Sequence, residues 1–290
     1  MEKKRLTDPN PELEQKYVDG KLHRTARSFV ARCFSAAEHL IDAHTHLSHI
    51  QSTEDLLKCL DVLVDLDKLD RRAVVIGCGP SPRVLRDLAA SGFSAIGIEP
   101  VGEAVRQARA FLHGVAEVQK GTAEDIPLPD DSQSLVLLEN VLEHVDSVRK
   151  TLEECYRILK PGGLLYILTT NRHRFSLTGI NWEFSTRFYN WFPRTVRESY
   201  VYSQLHHRPD LARYSPRPAV HWFTHADLCA CGRDVGFARF YAFCDLSWRI
   251  ADKQGNLLWR MKRRLLRNPW VRAWVISQSA GELFMWKRTA

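Results

Sequence analysis

The sequence predicts an α/β fold, a seven-stranded and mostly parallel sheet with helices on both faces. Two observations carry this expectation. From Ala73 short apolar runs alternate with amphipathic segments in the order AVVIG, PRVLRDLAAS, FSAIGI, EAVRQARAFL, the pattern of parallel strands joined by crossover helices. Helix signals keep the same register: Ser81 is placed to cap the first of these helices with Pro82 at its first position, and Gly92 to stop it.

Each element follows in order. Residues 11 to 70 lack Val/Ile-rich alternation, and Leu56, Leu57, Leu60, Leu63 and Leu66 recur at helical spacing. Residues 1–70 therefore read as an N-terminal helical segment and 71–290 as the sheet domain. After the first two strands come VAEVQ (strand), PLPDDS (loop), SLVLL (strand), VDSVRKTLEECYRILK (helix), PGG (turn) and LLYILTT (strand). Residues 171–223 break the rhythm with six aromatics between Trp182 and Phe192 and three prolines from Pro209 to Pro218, so they read as an inserted substrate cover. Thr224 and Asp227 form a capping-box start for HADLCACGRDVG. ARFYAFC and ELFMWK read as the last two strands, separated by a basic helical insertion at 247–279.

The totals narrow the function classes. At 290 residues with 44% hydrophobic and 26% charged residues, the composition is that of an ordinary globular protein. The opening MEKKRLTDPNPELEQ has no apolar run and no stretch reaches bilayer-spanning length, so a cytoplasmic location is expected. Seven scattered cysteines suggest reduced thiols. The net charge of +7 is local: residues 246 to 290 hold ten Lys or Arg against two acids, and the rest sums to −1. An anionic partner is suggested for that segment alone.

The chemistry concentrates where strands end. Gly77 and Gly79 close the first parallel strand and let backbone approach a ligand. Glu99 closes the next strand, where an acid can accept both hydroxyls of a ribose. GCGPSP lacks the third glycine of the dinucleotide fingerprint, which argues against a nicotinamide enzyme.

The succession AVVIGCG, AIGIEP, GTAEDIPLPDDSQSLVLLENVLEHV, RILKPGGLLYILTTN resembles the ordered motifs of class I S-adenosylmethionine-dependent methyltransferases acting on small molecules, over roughly residues 72 to 171. The resemblance implies a Rossmann-like sheet and S-adenosyl-L-methionine as cofactor. It implies that Gly77, Cys78 and Gly79 line the methionine part, that Glu99, followed by Pro100, binds the ribose hydroxyls, and that Thr122, Ala123 and Glu124 border the adenine. Glu139 and Asn140 are then expected near the sulfonium and the acceptor. Two positions depart from the family pattern, which usually has an acid where this chain has Val75 and an Asp where it has Thr122.

Methyl transfer from a sulfonium is an in-line displacement, so alignment in a dry pocket supplies most of the acceleration. An alcohol acceptor gains from a general base, for which His144 and His173 are the candidates. O-methylation of a small, glycan-linked or lipid-linked acceptor is the leading expectation. N-methylation, and a non-catalytic cofactor-binding homologue motivated by Val75 and Thr122, are the alternatives. No metal is expected; the basic segment 247–279 has an anionic membrane surface as its candidate partner, with RNA the less favoured alternative.

Three other signals have plainer readings. Asp42, His44 and His46, with His39 and His49 nearby, copy the metal-binding opening of amidohydrolases, but the β-α units that follow are not those of that barrel. His221, His225, Cys229 and Cys231 are zinc-ligand types, yet on a helix the two thiols point about 200° apart. NLLWRMKRRLLRNPWVRAWV reads first as a helical cap that packs Leu257, Leu258, Met261, Leu265 and Trp270 on the domain.

Overall fold

The computed structural model describes residues 52–64, 66, 69–169, 171, 193, 196, 221, 223–246, 264–278 and 281–289. In chain order these form α1 (Thr53–Leu63), β1 (Arg72–Ile76), α2 (Arg83–Ala90), β2 (Ser94–Glu99), α3 (Gly102–Leu112), β3 (Glu117–Lys120), β4 (Gln133–Glu139), α4 (Val148–Ile158), β5 (Leu159–Thr169), α5 (His225–Val235), β6 (Arg239–Ala242), α6 (Pro269–Gln278) and β7 (Gly281–Trp286). The expectations for 1–50, most of the 171–223 cover and 247–263 lie outside the described residues.

The sheet has seven strands in the order β3-β2-β1-β4-β5-β7-β6. Pairs from β3 through β5 are parallel, and β7 runs antiparallel to both β5 and β6. The winding reverses between β1 and β4, and in open α/β sheets the crevice beyond the carboxyl ends at such a reversal is where ligands bind.

Strand alternation splits the core into two layers. Val75, Leu137, Tyr166 and Phe284 face α1, α2 and α3 and pack with Leu56, Leu60, Leu85 and Leu88. Val74, Ile76, Val136, Leu138, Ile167 and Met285 face α4 and α5 and pack with Leu152 and Leu228. The predicted leucine spacing ahead of the sheet is thus α1, whose N-terminus is capped by the Ser52 side chain accepting from Asp55 N.

Local chemistry agrees with the sequence at α5, where Thr224 and Asp227 form a reciprocal capping box, and differs at four places. Pro82 occupies the N-cap position of α2 and no side chain caps it. Ser81 instead offers its carbonyl to Arg83 N at 2.8 Å, because the proline sits one residue before the first helical turn. The PGG segment is not a separate turn. It is a bulge inside β5, where pairing with β4 jumps from Gln133↔Leu159 to Leu135↔Leu164.

Gly162 supplies that bulge with φ +82, and Lys287 holds it from β7. Lys287 O accepts from Gly162 N and Lys287 N donates to Gly163 O. Lys287 is 9% exposed, and its ammonium donates to Asp131 Oδ1 (2.7 Å), Tyr156 O (2.9 Å) and Leu159 O (2.5 Å). All three of its protons are therefore used, which makes burial of the charge tolerable.

The third difference is β6, which ends at Ala242 where the strand ARFYAFC was expected to continue. Asp245 Oδ2 accepts from Ala242 N there, and this starts a helical turn. The fourth is the basic insertion. Its described part is helical, but Leu265 and Trp270 are 59% and 83% exposed rather than packed. The inward side of α6 is taken by Arg272, paired with Asp245 at 2.8 and 2.6 Å, and by Ile276, whose carbonyl accepts from Asn171 Nδ2. Among the described residues no helix is long and apolar enough to cross a membrane.

Candidate functional site

The end of β1 turns on two glycines with left-handed backbone, Gly77 at φ +64 and Gly79 at φ +68. A side chain on Gly77 would collide with Val141 Cγ2 at 2.4 Å, whereas one on Gly79 would project into open space. The first glycine is thus needed for packing, and the second leaves an open cradle. Pairing of Gly77 N and Cys78 N with Ile98 O ties the turn to β2. Cys78 is half-buried, and burial followed by the charge of Glu99 pushes its thiol up to about 12, so it lines the turn as a neutral group.

Glu99 closes β2 and is 7% exposed. Its Oε2 accepts from Gly79 N at 3.0 Å and its Oε1 from Val101 N at 3.1 Å. A carboxylate has about four acceptor sites. Two therefore remain beside the open cradle, and a vicinal diol can occupy both. Pro100 follows as an exposed residue.

The loop after β3 is held from α4. Arg157 Nη1 donates to Leu128 O and Asp130 Oδ1, and its Nη2 donates to Ile126 O. Glu154 Oε2 accepts from Ile126 N. Thr122 is exposed and bridges Asp125, and Ala123 is buried. Glu124 Oε1 accepts from Asp146 N at 2.7 Å, joining this loop to the one after β4. Those three residues thus border the β2/β3 end of the edge, with Thr122 facing solvent.

At the end of β4, Asn140 adopts φ +53 and donates its N–H to Leu168 O at 2.8 Å. Glu139 pairs with Leu168 on β5, which pairs with Glu282 on β7. Cross-strand partners share a face, so Glu139 and Glu282 flank Leu168 on the side of α1. Burial, then the neighbouring charge of Glu282, pushes the Glu139 carboxyl up to about 7. Cys59 on α1 lies near Glu282, and its thiol is raised to about 12 by burial, then by Glu282 and Asp55. The Val75–Leu137 pair lies one row back on this face.

His144 is half-buried in the turn after β4, where its N–H donates to Val141 O. Beside it Glu143 Oε2 accepts from Thr169 Oγ1 at 2.7 Å and Glu143 O accepts from His221 N. His221 Nε2 bonds Val145 O at 2.9 Å. This histidine-containing turn is a knitted structural unit. His173 lies outside the described residues.

Sequence reasoning passed over a small recess, of about 10 Å³, at the carboxyl end of β5, lined by Asn171, Thr224, His225, Ile276 and Glu282 among others. Burial, then the nearby Arg272 charge, holds His225 below the usual imidazole range, so it is a neutral ring at physiological pH. Its Nε2 lies 3.5 Å from Cys229 Sγ. Cys229 is buried and Cys231 half-buried, and neither is in a disulfide. No local pattern marks Glu282 or Asn171, since they meet only through the β5–β7 pairing.

Residues 74–167 match a protein family described as "Methyltransferase domain". A ubiquinone biosynthesis O-methyltransferase of Bradyrhizobium sp. is 30% identical over 146 residues, 49% of this chain and 54% of that protein. A Mycolicibacterium smegmatis protein named "Probable S-adenosylmethionine-dependent methyltransferase" is 32% identical over 108 residues, 37% of this chain and 40% of its own length. The chain thus spans about half the length of the curated relatives it matches. An S-adenosylmethionine-dependent methyltransferase structure from Mesorhizobium loti is similar with TM-score 0.49 and 17% identity, covering 81% of this chain and 97% of that one. The matched segment runs from β1 into β5 and so carries the glycine turn and the acids at the strand ends; over these residues the chain is similar to S-adenosylmethionine-dependent methyltransferases.

Proposed function

We propose that this protein transfers a methyl group from S-adenosyl-L-methionine to a hydroxyl of a small acceptor, with glycan-linked and lipid-linked molecules as the candidate classes. The observation that carries the cofactor half is Glu99. Two of its acceptor sites already hold the turn through Gly79 N and Val101 N, and two are left beside an open cradle at Gly79. That arrangement fits a ribose diol and the group attached to it.

When bound, the cofactor supplies an electrophilic methyl on a cationic sulfur. The chain does the rest. Gly77, Cys78 and Gly79 take the methionine part, Thr122, Ala123 and Glu124 border the adenine, and Asn140 with its left-handed backbone shapes the β4 edge. Glu139, half-buried and with proton affinity near neutrality, is the general base: it accepts the hydroxyl proton while the acceptor oxygen is held in line. In this reading His144 serves the turn rather than the reaction: its backbone N–H donates to Val141 O, and it follows Glu143, which bonds Thr169 and His221.

The printed name of the Bradyrhizobium relative supports an oxygen acceptor. An amine acceptor is the second reading, favoured by the two carboxyls flanking Leu168, which would attract a cationic nitrogen. Calorimetry with S-adenosylmethionine and S-adenosylhomocysteine tests the common premise, and binding of neither would overturn both readings. Transfer of a labelled methyl group to small molecules of a cell extract, followed by identification of the methylated atom, separates oxygen from nitrogen.

A further inference from the structure

Within the described residues four large apolar side chains are strongly exposed, and three of them are close together in the chain: Leu265 at 59%, Trp270 at 83% and Trp274 at 65%. The two tryptophans are four residues apart on α6, about 40° around the helix, so they share its outer face. Leaving two indoles in water costs a soluble protein free energy that a plain helical cap has no reason to spend.

The charge near them in the sequence is predominantly basic. Helix α6 itself carries no acid, Arg264 and Arg267 just before it are exposed, and Arg272 is engaged by Asp245. Residues 246 to 290 hold ten Lys or Arg against two acids. Tryptophan with its apolar body and N–H tip, set among arginines on a short helix, is the composition that lies in the plane of a bilayer surface.

We infer that α6 docks on an anionic bilayer, with Trp270, Trp274 and Leu265 entering the headgroup region and Arg264 and Arg267 facing lipid phosphates. The opposite side of the same helix gives the placement a use. Ile276 lines the recess at the end of β5, and its carbonyl is held by Asn171. Docking therefore sets the acceptor end of the sheet beside the membrane, where a lipid-linked molecule is at hand. The docking surface stands on exposure and charge and does not depend on the methyl-transfer reading.

The test is co-sedimentation of the full chain with phosphatidylcholine vesicles and with phosphatidylcholine–phosphatidylserine vesicles, alongside its mass in solution. Binding to the anionic vesicles, weakened by salt, is expected. The double variant Trp270→Ala, Trp274→Ala should reduce that binding about tenfold, with unchanged Tm and unchanged S-adenosylhomocysteine affinity. Arg264→Glu with Arg267→Glu should weaken it and flatten its salt dependence. Equal binding by wild type and tryptophan variant, or none by either, overturns the inference. Self-association abolished by the tryptophan variant, with no vesicle binding, also overturns it and assigns the face to a second copy of the chain.

Discussion

The two halves of the sheet's carboxyl edge solve different problems. At β1 and β2 the polar groups are satisfied by the protein's own backbone: Glu99 accepts from Gly79 N and Val101 N, and the turn is bonded to Ile98 O. This half is wired before a ligand arrives. At β4, β5 and β7 two carboxyls are set on either side of Leu168, and one is raised to about 7. In the proposed reading the first half holds a ligand in place, whereas the second keeps a group whose protonation can change during the reaction.

Breaking the wired half should have the largest effect. Glu99→Gln removes the charge and sets an amide N–H₂ against one of the two backbone donors, so S-adenosylhomocysteine affinity should fall about a hundredfold or more in calorimetry. Glu139→Gln should leave that affinity within about threefold while lowering kcat by about 10²-fold. In the wild type kcat should rise with pH through about 7 as Glu139 ionises, and the variant should lose that limb. Equal losses of affinity in the two variants would erase the distinction between the halves.

A third prediction concerns stability. The Glu139 carboxyl is raised in the folded state from an ordinary 4.5 to about 7, so the folded protein binds more protons than the unfolded chain between those values. Its contribution is therefore fully favourable below the unfolded pKa and is lost as pH rises through the folded one. Glu139→Gln should be the more stable protein above pH 7, by roughly 1–3 kcal/mol in denaturant unfolding, with the gap closing towards pH 4. The smallest effect is expected at the loop after β3. Arg157→Ala frees the carbonyls of Ile126 and Leu128 and should cost about 1–3 kcal/mol of stability, with a several-fold loss of cofactor affinity.

The same division decides what could be read from the sequence. The wired half is local: the glycine turn, Glu99 and the loop through Ser132 each follow a strand within a few residues, and the capping box at Thr224 is a four-residue pattern. The half at β4, β5 and β7 is assembled by pairing across distance. Glu282 reaches Glu139 only because β7 lies antiparallel beside β5, and no spacing in the sequence announces that. His225 reads as a zinc-ligand type, whereas the fold makes it a neutral ring lining the recess. Ser81 failed as a cap for a smaller reason, a proline standing one position earlier than its preferred place. The outward turn of Trp270 was hidden because periodicity marks an apolar residue without saying which surface it meets.

The measurement that bears most directly on the central claim is calorimetric titration of S-adenosylhomocysteine into the wild type and into Glu99→Gln under identical conditions. The site built on the glycine turn predicts saturable binding at one site per chain in the wild type and its loss or near-loss in the variant. Absence of binding to the wild type, or equal binding by the two proteins, would contradict it.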